Sequence, residues 1–345
     1  MRVLVTGCDG YIGSRLAPRL LQAGHTVQGI DTGFYRSGWL YEPRAPFPSI
    51  HTSDVRDLAP SNLMGFDAVV HLAELSNDPL GQLDPDITEK VNHRGSCQLA
   101  LKARDAGVSR FIYASSCSVY GAGTGDWKDE NSPPDPRTAY AQCKVDVERD
   151  VLGLMDERFA PIFLRNATVF GPSPRMRFDL VLNNLAGLAW TERAIRLTSD
   201  GSPWRPLVHV ADVVEAILAM LTADRDAVAG ETFNVGSTEQ NYQVRDIADV
   251  VADAFPGCEF SVGPSNGDDR SYRVKFDKLA ERIPTFRCQW SIERGAAELR
   301  ELFARINLTT EQFQGRHHTR LLQLKHLLQT GQLRPDLYWA VDAIA

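Results

Sequence analysis

Ser116, Tyr140 and Lys144 offer the first proton chemistry in the chain. Ser116 stands in YASSCSVYG (113–121), and residues 140–144 read YAQCK. Tyr140 and Lys144 are four positions apart in a helix-like stretch, hence on one face. A free phenol, with a pKa near 10, is a poor base, and a neighbouring ammonium favours its phenolate. Ser116 could donate to the hydroxyl or carbonyl that the tyrosine serves. Taken singly each piece is common, since Tyr–Lys pairs decorate many surface helices.

A second set opens the sequence. MRVLVTGCDGYIGSRLAPRLLQAG reads as strand, tight turn and helix: Val3, Leu4 and Val5 are apolar, Gly7, Gly10 and Gly13 follow, and Ile12, Leu16 and Leu20 recur at helical spacing. A dinucleotide pyrophosphate must approach backbone N–H groups at a helix N-terminus, where side chains would block it. The spacing is GxxGxxG, one residue longer than GxGxxG. Asp31 ends the next strand, HTVQGID. A carboxylate there accepts from a ribose diol and repels a 2′-phosphate, which favours NAD over NADP. Arg36 in the adjoining loop pulls the other way, and a turn cap is the plain alternative for Asp31.

The elements that must position these groups alternate. Asp54 follows a third strand, where it could accept from an adenine amino group. FDAVVHLAE is a fourth strand, a long helix is expected over 85–106, and VSRFIYASS is a fifth strand. Strands separated by single helices predict a parallel sheet covered on both faces. Ligands then sit at the carboxyl ends of the strands, where residues 113–121 fall. A proline-rich loop precedes the Tyr140 helix.

Composition narrows the class. The chain has 345 residues, 43% hydrophobic and 23% charged, with a net charge of -7. That is ordinary for a globular protein and argues against a mainly electrostatic nucleic-acid binder. The six cysteines, at 8, 97, 117, 143, 258 and 288, have no CxxC spacing and read as reduced, cytosolic thiols. No signal-peptide layout and no run of 18 apolar residues occurs, so a cytoplasmic chain without membrane partners is expected. His317 and His318 have no companion ligands in sequence, and no metal is expected.

TGCDGYIG resembles the TGxxGxxG of the NAD-dependent epimerase/dehydratase family, the extended short-chain dehydrogenases acting on nucleotide sugars. YAQCK resembles its YxxxK, SSCSVYG its serine segment before VYG, LRNATVFGP (164–172) its LRxxNVYGP, and RPLVHVADV (205–213) the segment after a substrate-contacting arginine. The motifs run in order from residue 1 to about 290. The resemblance implies an α/β fold: an N-terminal Rossmann-type parallel sheet with helices on both faces, and a smaller mixed α/β C-terminal substrate lobe. Residues 1–172 would form the NAD-binding domain, with 206–236 returning to it, 173–205 and 237–308 the substrate lobe, and 309–345 a helical extension. It implies NAD as cofactor, a nucleotide-diphosphate sugar as substrate, and a homodimer.

Roles follow position by position. Tyr140 would take the proton of a sugar 4-hydroxyl while hydride leaves C4, Lys144 would lower its pKa and hold the ribose, and Ser116 would support the oxygen. Cofactor contacts would come from Gly7, Gly10, Tyr11, Ile12, Gly13, Asp31, Asp54, Val55, Leu72, Ala73, Asn92, Tyr140 and Lys144. Substrate contacts would come from Ser116, Cys117, Tyr140, Asn184, Leu185, Arg205 and Arg270, the two arginines clamping a diphosphate or, on the plainer reading, making surface ion pairs. Thr309 or Thr310 would cap a short helix. Leu321, Leu322, Leu324, Leu327 and Leu328 mark an amphipathic helix that packs on the body or a partner.

Departures from the pattern bear on the reaction. Dehydratases of the family carry an Asp–Glu pair after the serine or threonine, and here those positions hold Cys117 and Ser118. This disfavours 4,6-dehydration. Cys117 reads as packing in preference to an acid or base. HLAA becomes HLAE, so Glu74 needs a partner, a raised pKa or an outward turn. Thr168 replaces the asparagine of LRxxNVYG, and nearby Asn166 is expected on the opposite side of the strand. The resulting expectation is an NAD-dependent nucleotide-sugar 4-epimerase, with a 4-ketoreductase as the alternative and a non-catalytic binder as a third class.

Overall fold

A computed structural model of the chain describes residues 1–340 apart from residues 44, 77, 122–125 and 265–270. The strands β1 (Arg2–Thr6), β2 (Thr26–Asp31), β3 (Ile50–Thr52), β4 (Ala68–His71), β5 (Arg110–Ser116), β6 (Ala160–Asn166) and β7 (Thr232–Val235) form one seven-stranded sheet. Their spatial order is β7-β6-β5-β4-β1-β2-β3, with every neighbouring pair parallel. The order reverses between β1 and β4, so their carboxyl ends diverge and leave a crevice.

Both faces of the sheet are covered, which is why β1 is an unbroken apolar run. Val3 and Val5 pack with Leu16 and Leu20 of α1 (Gly13–Gln22) and with Val213 and Ile217 further along. Leu4 points the other way, into a cluster with Leu99 of α2 (Ser96–Asp105) and Val147 and Val151 of α3 (Ala139–Leu152). The helix expected over 85–106 is present with one interruption. Pro85–Thr88 and α2 flank a π-helical stretch, Glu89–Gly95, that carries Asn92.

A smaller α/β region follows. Thr168–Phe170 pairs in parallel with Trp204–His209, which pairs antiparallel with Asn241–Gln243. Its apolar cluster is built by α4 (Val181–Thr191), α5 (Val210–Thr222), α6 (Val244–Ala254) and α7 (Ile292–Ile306), through Leu182, Val210, Ile247 and Leu299. Thr309 caps the short helix Thr310–Gln314 reciprocally with Gln312. The last helix, α8 (Arg320–Gln329), buries Leu324 and Leu327 against Phe34, Leu75 and Ile87 of the first region. Among the described residues no helix is long and apolar enough to cross a membrane.

Candidate active site

The crevice holds a cavity of about 490 Å³. Its floor is the turn from β1 into α1. Gly7 has φ +68, and a Cβ there would lie 2.8 Å from backbone atoms of Leu72 and Ala73. A Cβ on Gly13 would fall 2.2 Å from the Gly7 carbonyl oxygen. Only glycine fits at either position. Gly10, Tyr11 and Ile12 also line the cavity. The turn is tied across the molecule, because the Arg175 Nε donates to Asp9 at 2.7 Å and the Trp39 indole donates to the same oxygen at 3.1 Å. The α1 N-terminus borders the space through Gly10 and Gly13, the kind of position at which a pyrophosphate can approach the backbone.

Asp31, at the end of β2, lines the cavity and is held by backbone N–H groups of Asp9 (3.0 Å) and Gly33 (2.8 Å). Burial pushes its pKa up. Arg36 does not line the cavity. It lies over the Trp339 ring, 5.7 Å from its centroid, so the basic side chain that weighed against NAD faces the C-terminal tail. Asp54 and Val55 also line the wall, but the Asp54 carboxylate is taken by Arg56, with an ion pair of 2.7 Å. Leu72 and Ala73 complete this end.

At the other end, Ser116 finishes β5, and α3 presents Tyr140 and Lys144 beside it. The Thr138 hydroxyl caps α3 at the Ala141 N–H, 3.1 Å. One turn beyond Lys144, Glu148 anchors the helix through a buried ion pair with Arg165 of β6 at 2.6 Å. Ser116, Tyr140 and Lys144 all line the cavity. Burial pushes the Tyr140 phenol up, Lys144 pulls it down, Glu74 and Asp78 push it up, and the nearby Ser116 hydroxyl lowers it; the net direction is upward.

Glu74 has turned inward. Its side chain is 3% exposed and forms an ion pair with Lys144. It accepts from the Tyr113 hydroxyl at 2.6 Å and from Ser96 at 3.2 Å. Behind it, Ser96 meets His71 Nε2 at 2.8 Å, and His71 Nδ1 meets Thr6 at 2.6 Å. Since Ser96 donates to Glu74, His71 donates at Nε2 and accepts at Nδ1. Burial, then Lys144, pulls the His71 pKa down to about 3, so the ring is neutral. Burial alone would lower the Lys144 pKa, but Glu74 and Tyr140 together outweigh it and hold the ammonium charged.

Several expected residues lie elsewhere. Cys117 is in the core, not the cavity. A 3₁₀ turn, Cys117–Tyr120, capped by Ser116, sends the thiol inward to the Arg165 carbonyl at 3.2 Å, and burial raises its pKa well above the usual value. Asn92 is fully buried off the cavity wall; its amide accepts from the Leu75 N–H (2.9 Å) and donates to the Leu75 carbonyl (3.0 Å), fixing the loop after β4. Asn184 donates to the Phe178 carbonyl at 3.0 Å and Leu185 is core, so neither lines the cavity. Arg177, Asp179, Leu180 and Val181 take that part of the wall. Arg205 lines it too, while Arg270 lies outside the described residues.

Asn166 lines the cavity together with Thr168 and not on the opposite side, since positions two apart share a face in extended chain. β6 ends at Asn166 and the chain enters the smaller sheet at Thr168. Asn166 Oδ1 and Ser118 Oγ are buried without hydrogen-bond partners among the described residues, and both residues line the cavity. Such atoms call for a polar ligand. Ser118 and Asn166, with Glu74, Arg177, Tyr272 and Arg320, are among the wall residues that motif reading missed as contacts. Only Glu74, through its break with HLAA, and the charged run RMRFD carried a usable signal. Among the described residues, His93, Cys97 and Asp150 are spaced for a cation, but none lines the cavity and His93 already pairs with Asp150 at 2.7 Å.

The glycine turn, the Asp31 carboxylate and the paired tyrosine and lysine share one cavity, and a family model agrees. The model described as the NAD dependent epimerase/dehydratase family matches residues 3–236. The chain belongs to this family. It lies in the branch that modifies nucleotide sugars and is an NAD-binding enzyme. A UDP-glucose 4-epimerase from Mycolicibacterium smegmatis is 30% identical over 325 residues, covering 88% of this chain and 98% of the relative. The structure of MoeE5 in complex with UDP-glucose and NAD is similar with a TM-score of 0.77 at 25% identity, covering 89% of this chain and 100% of that one. DesIV, a dTDP-glucose 4,6-dehydratase from Streptomyces venezuelae solved with NAD, also has a TM-score of 0.77 at 25% identity, covering 88% and 97%. The two solved structures both contain NAD, while the reactions named for the M. smegmatis and S. venezuelae proteins differ.

Proposed function

We propose that the protein is an NAD-dependent nucleotide-sugar 4-epimerase whose substrate is a UDP-hexose. The observation that carries this reading is that Ser116, Tyr140 and Lys144 line one cavity, with the ammonium 5.4 Å from the Tyr140 ring centroid and no carboxylate at the two positions after Ser116. The names of the M. smegmatis relative and of the MoeE5 complex support the UDP-sugar class.

Tyr140 Oη takes the proton of the sugar 4-hydroxyl and returns it to the same oxygen after the sugar has presented its other face. Ser116 holds that oxygen in both states. Lys144 favours the phenolate and positions the ribose. NAD, when bound, supplies the acceptor and then the donor of a single hydride. Dehydration needs an acid for the C6 hydroxyl and a base for the C5 proton, and Cys117 and Ser118 offer neither at neutral pH: the thiol is buried and inert, and the hydroxyl does not ionise. The six cysteines are unbridged, which supports a reducing, cytoplasmic setting.

UDP-glucose incubated with the purified protein and catalytic NAD tests the reading. The expected result is the 4-epimer, followed by proton NMR, with no net change in nicotinamide absorbance at 340 nm. Stoichiometric NADH consumption with a 4-keto sugar would replace it with a 4-ketoreductase.

A further inference from the structure

The C-terminal tail reaches the cavity with one cation and one apolar side chain. Arg320 opens α8, is 2% exposed, and lines the cavity. Its guanidinium stacks on Tyr35, 4.2 Å from the ring centroid. Its Nη1 is buried with no hydrogen-bond partner among the described residues, and Asp179, the carboxylate that acts on it, is already paired with Arg177 at 2.9 Å. Burial, then the neighbouring Arg177, pulls its pKa down to about 10, so it remains a cation at neutral pH. An unpaired buried cation is costly unless an anion joins it.

Leu337 is the apolar member. It lines the cavity with φ +59, a left-handed backbone that a leucine rarely adopts. The chain around it is pinned to the loops after β2 and β3. Arg56 donates to the Asp336 carbonyl at 2.9 Å, the Tyr338 hydroxyl to Asp57 at 2.9 Å, and the Trp339 indole to the Thr32 carbonyl at 2.8 Å. From α8, Gln323 donates to the Phe34 carbonyl at 3.0 Å. These contacts hold the tail against the segment that begins with Asp31.

We infer that residues 316–340 are a latch on the bound dinucleotide, with Arg320 as a ligand of its pyrophosphate and Leu337 as apolar cover at its adenosine end. The inference rests on the cavity being the NAD site and is independent of which sugar reaction follows. The family match ends at residue 236, and MoeE5 is matched over its whole length by 89% of this chain. A nucleotide sugar carries the same diphosphate chemistry. The cofactor is favoured because Arg320 acts electrostatically on Asp31 and stacks on the loop that follows it.

Full-length protein, titrated calorimetrically with NAD and separately with UDP, provides the test. Arg320→Gln should weaken NAD about 10- to 100-fold, the range of a charge-assisted hydrogen bond to phosphate, and leave UDP affinity unchanged. Its cofactor-free form should melt no lower than the wild type, since an unpaired buried cation has gone. Arg320→Lys should recover part of the affinity. Leu337→Gly should speed NAD dissociation in stopped-flow displacement; because it also empties a buried site beside Phe34, Leu324 and Leu327, its cofactor-free melting temperature should fall despite the relieved backbone. Unchanged NAD affinity and dissociation in these variants would overturn the latch. So would UDP weakening with NAD unaffected, or, in Arg320→Gln, a cofactor-free melting loss that accounts for the weaker binding. A wild-type chain that binds no NAD would overturn the cofactor reading itself, and the latch with it.

Discussion

Replacing Glu74 by alanine, the residue of the HLAA pattern, tests the electrostatics of the site most directly. The carboxylate is buried, ion-paired to Lys144, and accepts hydrogen bonds from Tyr113 and Ser96. Removing one member of a buried ion pair costs about 3–5 kcal/mol, and a buried hydroxyl left without its acceptor costs about 1 kcal/mol more. Two features reduce the sum. Lys144 keeps the Ala114 carbonyl and the Tyr113 ring, 4.5 Å from its ammonium to the ring centroid, and it borders a cavity that water can enter. A net loss of about 2–4 kcal/mol is expected in urea unfolding at neutral pH.

The same substitution sets two signs in pH. Glu74 holds the Lys144 pKa above its ordinary 10.5, so the pair stabilises the fold below that value, and this stability is lost as pH rises through the folded-state pKa. The gap between wild type and Glu74→Ala should therefore narrow above pH 10.5. Glu74 also pushes the Tyr140 phenol up. The phenolate is the active form, so rate rises with pH, and removing the carboxylate should move the acid limb of kcat/KM to lower pH. An unchanged urea midpoint together with an unmoved limb would refute the reasoning. A limb displaced to higher pH would refute its sign.

Three further outcomes are expected. Tyr140→Phe should lower turnover about 10²- to 10⁴-fold with NAD binding intact, whereas Lys144→Ala should lose both, as read by single-turnover absorbance and calorimetry. Cys117→Ser should leave turnover and solvent-deuterium incorporation into the sugar unchanged, because the side chain faces the core and its hydroxyl can donate to the Arg165 carbonyl. Wild type should bind NAD more tightly than NADP, and Asp31→Ala should shrink that preference in paired titrations, since Asp31 lines the cavity while Arg36 faces Trp339.

What the sequence made legible lies inside single elements. The β1 apolar run, the glycine turn and the helical spacing of Leu16 and Leu20 each obey one period, and each side chain is where that period puts it. Tyr140 and Lys144 share a helix face for the same reason. Legibility fails where one element hands over to another. Cys117 is turned inward by a 3₁₀ step after β5. Asn184 and Leu185 sit on the helix next to the right segment, yet their turn faces Phe178 and the core. Arg320 and Leu337 are beyond any local rule, since the fold brings them across some 290 positions of chain to the loop after β2.

Glu74 lies between these cases. The break in HLAA marked it, and burial chemistry allowed a partner, a raised pKa or an outward turn. Choosing among them required knowing that three hydrogen-bonding groups from three elements converge behind β4. Ser96 comes from α2, Tyr113 from β5 and Lys144 from α3. None is near Glu74 in sequence. The Thr6–His71–Ser96 chain supplies a donor to the carboxylate from a neutral histidine, so the site gains no second cation. Lys144 therefore works as half of an ion pair, and its help to the Tyr140 phenolate is partly offset by the charge that keeps it in place. The pH limb of Glu74→Ala reads that opposition directly.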